Sequence, residues 1–125
     1  MRTVFTESAP KPAGHYVQAY IHEPFVFISG QLPINPETGE QCKGAIEEQT
    51  KQVLHNMLAV AQSAGSDAAH IIKTTVYIAD IALWNRVDQV YADFFGDHRP
   101  ARAVVPTSHL HYGFQIEVEA VAVLP

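Results

Sequence analysis

The chain has 125 residues, 47% of them hydrophobic, and a formal net charge of -5 at pH 7. That length fits one domain able to bury a core without staples. Acids and bases are scattered with no basic stripe, so the sequence offers no footprint for a nucleic-acid partner. A lone cysteine excludes an internal disulfide, and no apolar run approaches the ~18 residues of a membrane span.

In chain order, Met1–Glu7 lacks an apolar signal-peptide core, so a cytoplasmic protein is expected. Residues 2–6 suggest a short strand, and the Pro- and Gly-containing stretch 8–14 a loop. The apolar runs 16–21 and 25–29, separated by His22-Glu23-Pro24, read as a β-hairpin. Residues 30–39 read as a long loop with turn chemistry at Asn35-Pro36 and Thr38-Gly39. Ser29 and Gly30 at the strand end suggest a bulge or turn, although Gly there also permits a ligand to approach backbone N–H groups.

Residues 45–64 form the clearest helix. Ile46, Thr50, Val53, Leu54, Met57, Leu58 and Ala61 recur at helical spacing, and Gly65 supplies a stop. Residues 71–79 alternate as a strand, and a second helix is expected over 81–95 with Leu83, Val87, Val90, Tyr91 and Phe94 on its apolar face. Strands at 101–106 and 114–123 close the chain around a loop at 107–113. Two amphipathic helices suit one face of a mixed sheet, an α+β two-layer sandwich. In the last strand Ile116, Val118, Ala120 and Ala122 share one face, but Val121 and Val123 on the other are also apolar. This second face therefore suggests contact with another subunit.

Arg102 carries the most chemical information. Every neighbour in Pro100-Ala101-Arg102-Ala103-Val104-Val105-Pro106 is apolar, and a guanidinium in such a strand needs an anion to meet it. Glu117 or Glu119 of the last strand is one answer, and the carboxylate of a ligand is another. Spacing alone does not choose between them. Cys42, in a polar turn-rich stretch, reads as an incidental thiol. His109-Leu110-His111-Tyr112 lacks a third nearby ligand and reads as a polar loop rather than a metal site, although its aromatic and imidazole groups suit the wall of a substrate pocket. Glycine-rich nucleotide loops, a C-x-x-C pair and zinc-hydrolase motifs are absent, so nucleotide cofactors and zinc hydrolysis have no support.

Taken together, the segments Gly14-His15-Tyr16-Val17-Gln18, Phe27-Ile28-Ser29-Gly30-Gln31-Leu32-Pro33, Ile72–Asp80, Tyr91–Phe95, Pro100–Val105 and Ile116–Ala120 closely resemble the Rid family. These are the reactive intermediate/imine deaminases, also called the YjgF or L-PSP endoribonuclease family. The resemblance runs almost end to end and implies one Rid-family domain over residues 1–125. It further implies a chorismate-mutase-like α+β fold and a homotrimer with sheets facing inward and a ligand cleft between subunits.

By that resemblance Arg102 binds the substrate carboxylate, and the backbone at Val104 together with Glu117 positions the attacking water. Tyr16, Ser29 and Gly30 line the pocket. The expected activity is hydrolysis of 2-imino or enamine acids of the 2-aminoacrylate type to 2-keto acids and ammonia, with no metal or organic cofactor. The expected partner is a small carboxylate, with neither nucleic acid nor membrane involved. Four departures from the family pattern stand out: Val104 where a Cys is common, His15 where a Pro is common, Asp88 where an Asn is usual, and the 106–114 loop. That loop leaves room for a pathway-specific 2-aminomuconate-type substrate. A non-catalytic carboxylate-binding regulator is a further alternative, and ribonuclease activity is disfavoured by the acidic charge.

Overall fold

The structure, a computed structural model, describes residues 1–125. Six strands form one mixed sheet: β1 (Arg2–Val4), β2 (Ala19–His22), β3 (Phe25–Gln31), β4 (Ile71–Ile78), β5 (Ala101–Pro106) and β6 (Ile116–Val123). Their spatial order is β1-β2-β3-β6-β4-β5. All neighbours are antiparallel except β4 and β5, which run parallel. A parallel pair needs a crossover, and α2 (Trp84–Phe95) provides it.

The period-2 pattern of the strands decides which face is buried. In β6, Ile116, Val118, Ala120 and Ala122 are buried in alternation with half-exposed neighbours. Thr74, Val76 and Ile78 of β4 and Val26 and Ile28 of β3 join them on that face. α1 (Ile46–Ser63) covers it with Ile46, Val53, Leu54, Met57, Val60 and Ala61, all essentially inaccessible. Each large apolar side chain so buried contributes about 1.5–3 kcal/mol. α2 adds Val87, Tyr91 and Phe95 to the same core. Its N-terminal turn, Ile81–Leu83, is 3-10, so the α-helix proper starts later than the expected 81. Gly96, at φ +63, ends it in a conformation that side chains disfavour. Arg86 of α2 donates two 2.7 Å hydrogen bonds to Glu47 of α1, clamping the helices together. This pair holds the Glu47 carboxyl down to about 2.

The expected two-layer α+β architecture is thus present, with both helices on one sheet face. The opposite face has no covering element. Tyr20, Phe25, Phe27 and Val105 remain 37–49% exposed.

Strand boundaries near the N-terminus differ from expectation. β1 stops at Val4, and β2 starts at Ala19 rather than Tyr16. Gln18 explains both: its buried amide accepts from the Thr6 N–H and donates to the Thr6 and Pro10 carbonyls, holding residues 6–10 against 16–18 as paired loops. β3 continues through Gly30 to Gln31, with a register shift against β6 between Ile28 and Gln31. The expected loop over 30–39 therefore begins two residues later, and Ser29-Gly30 forms a bulge.

Candidate functional site

Arg102 lies on β5, the edge strand, in register with Thr74 of β4. Thr74 points toward the helices, so Arg102 does too. Its Nη1 donates to Asp88 Oδ1 at 2.7 Å, and its guanidinium carbon sits 4.7 Å from the Tyr91 ring centroid and 5.4 Å from that of Trp84. Trp84, Asp88 and Tyr91 occur at i, i+4 and i+7 and so share one face of α2. The Tyr91 hydroxyl is fixed by Thr74 Oγ1 at 2.7 Å, and burial raises its pKa. A carboxylate and two ring faces thus orient the guanidinium, with cation–π attraction reinforcing the ion pair. The group borders a cleft of about 530 Å³ between the end of α2 and the start of β5. Four of the five guanidinium N–H bonds have no partner within the chain.

This corrects one alternative from the sequence. Neither Glu117 nor Glu119 meets Arg102 within a chain; Asp88 does. The reason is register. Arg102 aligns with Thr74, and Glu117 aligns with Tyr77. Positions 74 and 77 are an odd number apart on one strand, so they face opposite ways.

Glu117 lies on the uncovered face. Its carboxylate abuts the backbone of Gly30, where a Cβ would overlap it, and this close approach requires glycine in the β3 bulge. Partial burial and the nearby Glu119 push the Glu117 carboxyl above its ordinary range, with His111 opposing. Glu119 itself accepts a 2.6 Å hydrogen bond from the Tyr77 hydroxyl, which raises the Tyr77 pKa.

Gly30 also lines a smaller cavity of about 140 Å³, together with Gly14, Tyr16, Leu32, His111 and Tyr112. A tight turn holds Tyr16: its N–H donates to the Gly14 carbonyl, and its hydroxyl accepts from the Ala13 N–H. The Ser29 hydroxyl donates to the Val17 carbonyl at 2.7 Å, tying β3 to the loop carrying Tyr16. Val104 packs against the core on the same side as Arg102, and β5 has no strand partner on its outer side.

The structure therefore brings Tyr16, Ser29, Gly30 and Glu117 together and leaves Arg102 and Val104 across the sheet. His111 and Tyr112, read from the sequence as a polar loop whose aromatic and imidazole groups suit a pocket wall, stack at 3.8 Å between ring centroids against the Tyr16 cavity. The Lys43 ammonium donates to the Tyr112 carbonyl and lies 4.8 Å from the Phe114 ring centroid, pinning the turn. Asp88 and Trp84 were detectable as an i, i+4 pair on the face that contains Tyr91. No group of three or more His, Cys, Asp or Glu side chains is placed to hold a metal. No helix is long and apolar enough to cross a membrane.

Comparison with known proteins identifies the family. The family model for endoribonuclease L-PSP matches residues 6–124. A RutC family protein of Pyrococcus horikoshii is 47% identical over 95% of this chain and 94% of its own. The human 2-iminobutanoate/2-iminopropanoate deaminase is 38% identical over 98% of this chain and 89% of its own. Among solved structures, E. coli TdcF with bound serine superposes with a TM-score of 0.95 at 34% identity, covering all of both chains. The chain belongs to the endoribonuclease L-PSP family, also known as the YjgF or Rid family.

Proposed function

We propose that the chain is a deaminase hydrolysing 2-imino and enamine acids of the 2-aminoacrylate type to 2-keto acids and ammonia. It does so as a homotrimer whose sheets face inward. The observation that carries this reading is the separation of Arg102 from Glu117 by the thickness of one sheet. Arg102 borders an open cleft and Glu117 abuts Gly30, which lines a second cavity, and the two form a single site only when one copy presents its Arg102 edge to the uncovered face of another. The exposed Tyr20, Phe25 and Phe27 on that face support such packing. Relatives named as imine deaminases, at 35–38% identity, support the chemistry.

In this site Arg102 holds the substrate carboxylate through its unpartnered N–H groups. The adjacent iminium carbon is electrophilic without further activation. Glu117 takes a proton from water as the water oxygen adds to that carbon, giving a carbinolamine. It then returns the proton to nitrogen. The C–N bond breaks, and the hydroxyl proton passes to Glu117 as the carbonyl forms; Glu117 then gives this proton to the departing ammonia and is ionised again. A carboxyl with a raised pKa suits this exchange, since it accepts and returns protons closer to neutral pH. Val104 contributes through its edge-strand backbone, and Tyr16, Ser29 and Gly30 shape the other wall.

The test couples the protein to a dehydratase that generates 2-aminoacrylate and follows keto-acid formation. The expected result is acceleration over buffer, lost in Arg102→Ala and Glu117→Gln. Full activity in Arg102→Ala would overturn the reading. Ligand binding without turnover across a panel of imines would favour a regulatory role instead.

A further inference from the structure

The ion pair between Asp88 and Arg102 has no place in the hydrolysis itself. Yet its geometry bears directly on how the site grips a carboxylate. Asp88 binds Nη1 alone, end-on, at 2.7 Å. Its side chain is 40% exposed and that of Arg102 is 21%, so the pair stands at the mouth of the cleft rather than in the core. The remaining guanidinium N–H groups are free to fork onto a second carboxylate. Any ligand carboxylate that does so arrives within a few ångströms of a negative charge already in place. The other cationic group at this cleft is Arg99, which is exposed and makes no ion pair within the chain.

We propose that Asp88 is a built-in counter-ion that positions the Arg102 fork and sets its affinity for carboxylates low. This rests on Arg102 being the carboxylate holder. Two like charges sharing one guanidinium repel, and partial solvent exposure screens but does not abolish that repulsion. The carboxylate is common to the imino acid and to the keto acid, so Asp88 loosens both alike. That is uniform binding: it governs KM and product release together rather than the chemical step. A keto-acid product held by an unopposed arginine would leave slowly. With Asp88 in place, the product leaves readily.

The test is direct binding of 2-oxobutanoate, a stable product-like keto acid, measured by calorimetry on the wild type and on variants. Asp88→Asn is isosteric and its amide oxygen still accepts from Arg102 Nη1, so orientation is kept while the charge goes. The expected result is binding tighter by roughly tenfold, with a steeper loss on adding salt. In the coupled assay KM for the imine and the inhibition constant for 2-oxobutanoate should fall together. Asp88→Glu, which restores the charge, should restore weak binding. A merely structural role predicts weaker binding in Asp88→Asn, and either weaker or unchanged binding overturns the proposal. Arg102→Ala separates the two levels. If it abolishes 2-oxobutanoate binding while Asp88→Asn changes nothing, only the role of Asp88 falls. If Arg102→Ala binds as well as wild type, the carboxylate assignment falls and the counter-ion role with it.

Discussion

Arg102 and Glu117 stand on opposite faces of one sheet, reached through β4 positions Thr74 and Tyr77. If the proposed cleft joins them across two copies, each residue works with the other only in trans. Arg102→Ala and Glu117→Gln should each be inactive alone. Unfolding and refolding them together at equal amounts should restore about a quarter of wild-type activity, because that share of random interfaces pairs an intact Arg102 with an intact Glu117. Steady-state rates of the mixture check this. No recovery would place both residues in one chain's site or in none.

The uncovered sheet face supplies a second prediction. Phe27 is 49% exposed at its centre, beside Phe25 at 6.2 Å between rings. Phe27→Asp leaves the helix-side core untouched, so secondary structure should persist. If the proposed trimer forms through this face, size-exclusion chromatography with light scattering should report its loss, a shift from trimer to monomer. Activity should be lost with it.

Gly30 gives a third. A methyl group there meets the Glu117 carboxylate, which is hemmed in by the β3 bulge. Gly30→Ala should displace the carboxylate and reduce kcat at least tenfold while lowering stability by about 1–3 kcal/mol, as overpacking does. Glu117→Gln in the same background should add little further loss of activity, since the group it removes is already misplaced.

Glu117 also makes stability depend on pH with a definite sign. Its carboxyl titrates above the ordinary value because burial penalises the charge. The folded state therefore binds this proton more tightly than the unfolded chain. The associated stability is present below the unfolded pKa and is lost as pH rises through the folded one. Glu117→Gln, neutral throughout, should be more stable than wild type near pH 7–8, with the difference vanishing in acid. Thermal melting at a series of pH values reads this directly. A difference that grows in acid would show that the ionised carboxylate is the better-accommodated form.

Much of the fold is legible in the amino-acid sequence. The α1 stripe from Ile46 to Ala61 and the alternation from Ile116 to Ala122 specify their buried faces outright. The candidate charge was legible too, since a guanidinium among apolar strand residues needs an anion, but spacing left open whether the chain or a ligand supplies it. Which face each residue takes was not, because that depends on registers between strands far apart in sequence. The fate of Tyr16–Gln18 was equally hidden, since alternation there suits a strand until the Gln18 amide is seen bridging Thr6 and Pro10. Asp88 shows the same limit: its charge was visible, and its partner was not.

Tyr112 offers the most discriminating substitution. It is the one non-glycine residue with positive φ, at 59°, and its ring stacks on His111 against the Tyr16 cavity. Backbone strain and pocket wall therefore reside in the same residue. Tyr112→Gly relieves the left-handed conformation while deleting the ring. The two stability effects oppose, because glycine also gains freedom in the unfolded chain, so the melting transition should move by less than about 1 kcal/mol. The Lys43 bond to the carbonyl at this position survives, since it uses only the backbone. If the Tyr16 cavity receives the substrate side chain, its planar wall is gone and KM should rise roughly tenfold for imines with extended side chains. The smallest imine, 2-aminoacrylate, should be least affected. Equal losses for small and large substrates would show that Tyr112 shapes the turn and not the pocket.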